Sequence, residues 1–219
     1  MKPKNYQSIL FDLDGTLTDP KDGIINSVQY ALNKMGIAEP EREKLVKFIG
    51  PPLAESFQKY FQLQLTEAWK AVQYYREYFT EKGMFENFVY PGIPQLLQEL
   101  RQRGKRLIVA TSKPTIFSEQ ILHHFKLLDL FEKVIGSNLD GTRVAKTEVI
   151  QHVFAVCPIE KQYTVMIGDR EHDLIGARGN EIDSIAVTYG YGSRTELENG
   201  HPTVIVNSVT ELKTVLVAN

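Results

Sequence analysis

Short apolar segments alternate with segments of helical periodicity along most of this 219-residue chain. Strands are predicted at 7–11, 106–111, 133–137, 163–168, 184–188 and 203–206. Helices are predicted at 92–103, 115–125, 146–155, 171–180 and 209–217. Strands that alternate with helices pair in parallel, and the helices cover both faces of the sheet. The sequence therefore predicts an α/β fold built on a parallel sheet.

The stretch 19–88 differs from the rest, because it has helical spacing and no clear strand. Half of the aromatic residues lie between Phe57 and Tyr90, and such a concentration needs a small core of its own. We therefore expect a helical cap domain at 19–88, inserted into a core domain formed by 1–18 and 89–219. The two connecting segments of such an insertion would suit a hinge motion.

Two carboxylates follow the first predicted strand, on Asp12 and Asp14, and a Gly15-Thr16 turn comes next. Carboxylates at the mouth of a buried strand are costly unless a charge compensates them, and a divalent cation such as Mg²⁺ is the usual compensation. One carboxylate can then attack as a nucleophile while its neighbour moves protons. An isolated Asp after a strand is more often a turn residue. Other segments of the chain must therefore decide whether Asp12 and Asp14 are catalytic.

Three more polar segments follow in order along the chain. They are Thr111-Ser112-Lys113 at the end of a strand, Lys146 at the start of a helix, and Asp169 with Asp173 after the next strand. Together with Asp12 and Asp14, these segments resemble the four motifs of the haloacid dehalogenase-like hydrolase superfamily, and its phosphatases in particular. The resemblance spans 11–173.

The resemblance implies a Rossmann-like core with a helical cap that closes over it. It also implies that Asp12 attacks phosphorus and forms an aspartyl-phosphate, and that Asp14 acts as the general acid and base. The backbone carbonyl of Asp14 is implied as a ligand of the metal. Dehalogenases of the superfamily lack a second Asp at this place, so Asp14 favours phosphate over halide chemistry.

The same resemblance implies an Mg²⁺ site and a phosphate site. Its metal ligands would be Asp12, Asp14, Asp169 and Asp173, with a direct and a supporting role both open for Asp173. Catalysis would involve Asp12, Asp14, Thr111 and Lys146, and the substrate phosphate would be bound by Thr111, Ser112 and Lys146. Lys113 would either approach the substrate or be solvated, and both alternatives stay open.

The substrate class rests on the predicted cap. Its Gly50-Pro51-Pro52 turn resembles that of phosphoglycolate phosphatase-like and bacterial 5′-nucleotidase-like members, and would either reach into the site or simply connect two helices. The leading hypothesis is a magnesium-dependent phosphatase that hydrolyses small phosphomonoesters. Phosphoglycolate and nucleoside 5′-monophosphates are the expected substrate types.

Two alternatives belong to other classes. A sugar-phosphate mutase of the same superfamily typically carries a bulkier residue where Thr16 stands, so this chain favours the hydrolase. A phospho-accepting signalling protein would be shorter and would lack the inserted helical segment. Multiple turnover of phosphate release separates the enzyme from the signalling protein.

Composition excludes several further classes. The net charge of −2 provides no basic surface for a nucleic acid polymer, and no apolar run is long enough for a membrane span. The single cysteine, Cys157, excludes an intramolecular disulfide and fits a reducing compartment. We expect a cytoplasmic monomer or homodimer whose partner is a small phosphorylated metabolite.

Overall fold

The computed structural model describes residues 4–217. The chain divides into two compact units at the Asp19–Pro20 and Phe88–Val89 bonds. We call the segment Pro20–Phe88 the helical unit, and the segments before and after it the sheet unit. Each unit is described separately below.

The strands are numbered in chain order. They are β1 (Ser8–Phe11), β2 (Thr18–Asp19), β3 (Phe88–Val89), β4 (Arg106–Pro114), β5 (Lys133–Ser137), β6 (Thr164–Gly168), β7 (Asp183–Val187) and β8 (Val204–Val206). Six of them form a parallel sheet in the order β5-β4-β1-β6-β7-β8, and β2 pairs with β3. The predicted α/β class with a parallel sheet is confirmed.

The α-helices are also numbered in chain order. They are α1 (Lys21–Lys34), α2 (Leu53–Phe61), α3 (Leu65–Tyr78), α4 (Ile93–Gln102), α5 (Thr115–His124), α6 (Lys146–Val156), α7 (Glu171–Gly179), α8 (Arg194–Asn199) and α9 (Val209–Val217). Short 3₁₀ segments lie at Arg42–Phe48, Leu128–Leu130 and Lys161–Tyr163, and a π-helical turn at Phe79–Gly83 follows α3.

The centre of the sheet unit is apolar on both faces of the sheet. All four residues of β1 are buried, as expected for a strand with helices on both sides. On one face, Leu10 and Met166 belong to a buried cluster with Val149 and Val153 of α6. Because its backbone is held rigidly in this core, β1 presents the residues that follow it at a fixed place.

The helical unit has a core of its own. Phe48 and Phe57 meet edge to face with ring centroids 4.9 Å apart, and Tyr75 stacks on Phe79 at 5.2 Å. α1 also packs against the π-helical turn with very little space, since a Cβ on Gly23 would lie 1.9 Å from the Gly83 carbonyl oxygen. Several aromatic residues of this region are therefore used in packing within the unit.

Several elements differ from the sequence prediction, among them the two-residue strands β2 and β3, which it does not contain. β4 continues to Pro114 rather than ending at residue 111, and its register with β5 shifts between Ala110 and Pro114. The short helix α8 was not predicted at all. Its signal is nevertheless present, because the Ser193 hydroxyl caps the helix by accepting a hydrogen bond from the Glu196 N–H.

In the described part of the chain, the helices lack the combination of length and apolarity that a bilayer span requires.

Candidate active site

The polar residues singled out in the sequence lie at the carboxyl edge of the central strands. Asp12 follows β1, Asp169 follows β6, and Lys146 begins α6, which comes after β5. The sheet order reverses direction beside β1, since β4 lies on one side of it and β6 on the other. Open α/β sheets bind their ligands at such a switch point.

Lys146 connects several of these residues. Its Nζ lies 2.8 Å from Asp12 Oδ1 and 2.7 Å from Asp173 Oδ1, and it donates a hydrogen bond of 2.9 Å to the Ala110 carbonyl oxygen. Its side chain is only 3% exposed. The two carboxylates favour the charged amine and raise the Lys146 pKa, although burial opposes this. The lysine therefore fixes one oxygen of Asp12.

Asp169 is fully buried and is held from two directions. The Thr16 hydroxyl donates to its Oδ1 at 3.3 Å, and the Tyr191 N–H donates to its Oδ2 at 2.8 Å. Gly15 lies against the same carboxylate with φ +82°, and a Cβ there would stand 2.2 Å from Asp169 Oδ2. Only glycine meets both the backbone and the space requirement at this position.

Asp173 has both carboxylate oxygens engaged within the chain. Oδ1 faces Lys146, and Oδ2 accepts a hydrogen bond of 3.2 Å from the Arg170 N–H at the start of α7. A Cβ on Gly168 would lie 2.1 Å from Asp173 Cγ. Asp173 therefore reaches Lys146 only because residue 168 has no side chain.

Asp14 forms an ion pair with Lys113. The Lys113 ammonium lies 2.8 Å from Asp14 Oδ2, and the two side chains are 8% and 12% exposed. Burial raises the pKa of Asp14, and the nearby Lys113 opposes that rise. Asp14 Oδ1 is buried and has no hydrogen-bond partner in the described structure. Of the two alternatives for Lys113, the solvated one is wrong.

The charges of this cluster fit a divalent cation. Oxygens of Asp12, Asp169 and Asp173 lie within 4.8 Å of one another. Burial and the neighbouring carboxylates raise the pKa of Asp169 well above its ordinary value, and burial raises that of Asp173 to about 6. Among the residues that the structure describes, these three carboxylates and that of Asp14 face two ammonium groups, on Lys113 and Lys146. The two excess negative charges and the all-oxygen donor set suit a hard divalent ion.

Thr111 and Ser112 lie in the irregular part of β4. Thr111 is buried, and its hydroxyl accepts a hydrogen bond of 3.3 Å from the Lys113 N–H. Lys146 donates a hydrogen bond to the carbonyl oxygen of Ala110, the residue directly before Thr111. Gly50-Pro51-Pro52 lies in the helical unit, between the 3₁₀ segment and α2. The roles predicted for these residues stay predictions.

The sequence matches the profile of the haloacid dehalogenase-like hydrolases over residues 9–187, which is most of the chain. The chain belongs to this family. The matched range includes every site residue named above except Tyr191.

Several known proteins similar to this haloacid dehalogenase-like hydrolase are named as phosphatases or as a nucleotidase. It is 47% identical to a 5′-nucleotidase of Pseudomonas aeruginosa, over 96% of each chain. It is 38% identical to a Mycobacterium tuberculosis protein named tyrosine-protein kinase PtkA, over 93% of this chain and 69% of that one. A crystal structure of a predicted phosphatase from Clostridium acetobutylicum matches with a TM-score of 0.95 and 50% identity, over 99% of this chain and 100% of that one. The protein is a phosphatase of this family, and it acts on small phosphate compounds.

Some residues of this hydrolase site carried no recognisable signal in the sequence. The Tyr191 N–H binds Asp169 through its backbone, so its residue type does not reveal the contact. The sequence points to Thr16 only through its small size, whereas its hydroxyl donates a hydrogen bond to Asp169 Oδ1. One glycine beside each carboxylate pair, Gly15 and Gly168, is the available hint, because glycine often marks close backbone approach.

Proposed function

We propose that the protein is a magnesium-dependent phosphatase that hydrolyses small phosphomonoesters through an aspartyl-phosphate on Asp12. Nucleoside 5′-monophosphates and phosphoglycolate are the substrate types. The contact that carries the proposal is the 2.8 Å ion pair between Lys146 and Asp12 Oδ1 inside a buried cluster of carboxylates. It prepares Asp12 to meet an anionic group, because the lysine and a metal together offset the negative charge.

Asp12 is assigned the role of nucleophile. Lys146 engages its Oδ1, so Oδ2 is the oxygen that attacks phosphorus. The bond between phosphorus and the leaving oxygen breaks as the bond to Asp12 forms. Asp14 donates a proton to the leaving oxygen, and then accepts one from the water that hydrolyses the aspartyl-phosphate.

Asp12 and Asp169 with their side chains, and Asp14 with its backbone carbonyl, are assigned as the residues that hold Mg²⁺. A bound Mg²⁺ neutralises the carboxylates and the transferring phosphoryl group. We assign Asp173 the supporting role, because both of its oxygens already serve Lys146 and Arg170. Asp173 then keeps Lys146 oriented rather than competing for the metal.

Thr111, Ser112 and Lys146 are assigned to the substrate phosphate. Thr111 lies on the same irregular segment of β4 as Lys113, and Lys146 binds the backbone beside it. Substrate choice is assigned to the helical unit, as a cap that includes Gly50-Pro51-Pro52. The 5′-nucleotidase name of the Pseudomonas relative ranks nucleoside 5′-monophosphates first among the substrates to test.

Steady-state phosphate release from a metabolite panel tests this function, with Mg²⁺ and with chelator. The panel contains nucleoside 5′-monophosphates, phosphoglycolate, sugar phosphates and pyrophosphate. Magnesium-dependent turnover is expected, and Asp12→Asn should lower it by on the order of 10⁴-fold. Asp129→Asn alters an exposed carboxylate of the sheet unit and serves as the matched control. Equal activity of Asp12→Asn and wild type would contradict the proposed nucleophile.

The same assay separates the alternatives. A mutase would convert a sugar phosphate into its isomer without net release of phosphate, and a signalling protein would release at most one phosphate per chain. Many turnovers of released phosphate per chain exclude both.

A further inference from the structure

Lys113 lies where β4 departs from regular pairing. The register with β5 shifts between Ala110 and Pro114, and the Lys113 N–H donates to the Thr111 hydroxyl two residues earlier. In this irregular segment the Lys113 ammonium reaches Asp14, 2.8 Å away, although Asp14 comes from the turn after β1. An accidental surface contact does not explain the pair, since both side chains are almost fully shielded from solvent.

Burial gives this ion pair more influence than an exposed pair has. Solvent and salt screen exposed pairs, which therefore contribute little. Inside a protein the attraction is stronger, and the geometry of the two groups is held more tightly. The ion pair of Lys161 with Glu181, by contrast, is exposed on both sides.

The two oxygens of Asp14 have different surroundings. Oδ2 faces Lys113, while Oδ1 is buried without a hydrogen-bond partner in the described residues. A buried carboxylate oxygen without a partner is costly unless something binds it at another stage. The arrangement holds one oxygen in place and leaves the other for a reacting group.

We propose that Lys113 is a positioning residue that orients Asp14 to donate its proton to the leaving oxygen of the substrate. This inference rests on the proposed function. In the step concerned, the phosphorus bond to the leaving oxygen breaks, the bond from phosphorus to Asp12 forms, and the proton passes from Asp14 to the leaving oxygen. Asp14 becomes a carboxylate beside the Lys113 ammonium, which stabilises the charge as it develops.

Two other roles for Lys113 make different predictions. If Lys113 bound the substrate phosphate directly, its loss would weaken every phosphate ester alike. If it only stabilised the fold, its loss would lower the melting temperature without discriminating between substrates. Only a role through Asp14 makes the effect depend on whether the leaving group needs a proton.

The test compares two substrates in Lys113→Met, which keeps most of the apolar stem of the side chain. One is 4-nitrophenyl phosphate, whose nitrophenolate departs without a proton. The other is the alkyl phosphate that the wild-type enzyme turns over fastest, whose alcohol must be protonated. We compare kcat/KM, because it reports the steps up to transfer of the phosphoryl group to Asp12. We expect a loss of about 10²-fold or more for the alkyl ester and at most a few-fold for the aryl ester.

Three further variants complete the experiment. Lys113→Gln keeps a donor without the charge and is measured in parallel, so the test survives if the Met variant does not fold. Lys113→Arg restores a cation and should recover part of the alkyl activity. Lys161→Met removes an exposed ion pair and should leave both substrates unchanged.

Equal losses for the two substrates would overturn the role of Lys113, even with the phosphatase activity intact. Failure of the wild-type enzyme to hydrolyse either ester would instead refute the proposed function, and this inference with it. The two failures are therefore distinguishable within one data set.

Discussion

At Gly168, a single methyl group would lie 2.1 Å from the Asp173 Cγ. Asp173 in turn holds Lys146 at 2.7 Å, and Lys146 holds Asp12. The position of the assigned nucleophile thus depends on a residue that carries no chemistry itself. Protein interiors are close-packed, so such a contact is relieved by moving the carboxylate rather than by compression.

We predict that Gly168→Ala lowers kcat/KM by about 10²-fold, because it displaces Asp173 and with it Lys146. Steady-state kinetics on the best substrate of the panel measures this. Gly104→Ala is the matched control, since its methyl group would meet nothing within 4 Å and lies far along the chain from the site. Its φ of +74° strains an alanine, so it should lose about 1 kcal/mol of stability but keep its turnover. Equal kinetic losses in the two variants would contradict the argument.

Among the elements, α4 shows how directly a periodic pattern specifies burial. Its apolar residues recur at helical spacing, and Ile93, Leu96, Leu97 and Leu100 are all at most 1% exposed. Gly104 follows the helix in a left-handed conformation, as a C-terminal glycine often does. This helix was predicted at 92–103 and is found at Ile93–Gln102.

We predict that Leu97→Ala lowers the free energy of unfolding by about 2–5 kcal/mol, because it removes buried methyl groups and leaves a cavity. Urea denaturation followed by circular dichroism measures the loss. Gln98→Ala, on the exposed side of the same helix, should change stability by no more than about 0.5 kcal/mol. A similar small effect for both variants would show that α4 contributes little to the core.

β4 shows where the hydrophobic pattern of the sequence fails to predict the structure. Its apolar residues predicted the strand to 111, but the chain continues in strand-like form to Pro114 with a shifted register. Hydrophobic periodicity carries no information about such an irregularity, because the residues after Ala110 are polar. The position of Lys113 depends on this irregularity, which explains why the sequence left two roles open for that lysine.

For the molecule as a whole, the charged groups that the site needs for its function lower the stability of the fold. Four carboxylates are gathered around two ammonium groups, and burial raises the pKa of Asp14, Asp169 and Asp173. Ionising these groups in the folded state without a metal costs free energy. Total stability should therefore depend on pH and on the cation together.

With chelator present, we predict that the free energy of unfolding contributed by this cluster falls as the pH rises from about 4 to about 6. In that window the folded chain holds more protons than the unfolded chain, since the pKa of Asp173 rises from 3.8 to about 6 on folding. Raising the pH removes these protons and favours the unfolded state. Urea titrations at several pH values measure the trend.

Asp169→Asn and Mg²⁺ provide the controls for this prediction. The variant removes one buried carboxylate, so its stability should fall less over the same window, and exposed carboxyl groups shared by both proteins cancel in the comparison. Saturating Mg²⁺ should reduce the fall in the wild-type protein, because metal binding favours the ionised carboxylates. Identical pH profiles for the variant and the wild type would contradict the role given to Asp169.

The order and type of the elements in the sheet unit follow from the sequence alone. Apolar strands and amphipathic helices differ in period, and the period is a local property of the chain. The six predicted sheet strands agree with the structure to within one residue at every boundary except the end of β4. The motif resemblance also singles out Asp12, Lys146 and Asp169, and the structure brings their side chains together at one edge of the sheet.

Only the tertiary structure decides which of the charged groups contact one another. Lys113 faces Asp14, Lys146 joins Asp12 to Asp173, and the Tyr191 backbone holds Asp169. Each of these contacts joins segments that are distant along the chain, and its existence depends on strand register, on the irregular end of β4 and on glycines that permit close approach. Local patterns determine what forms, whereas distances of a few ångströms between distant segments depend on how the whole core packs.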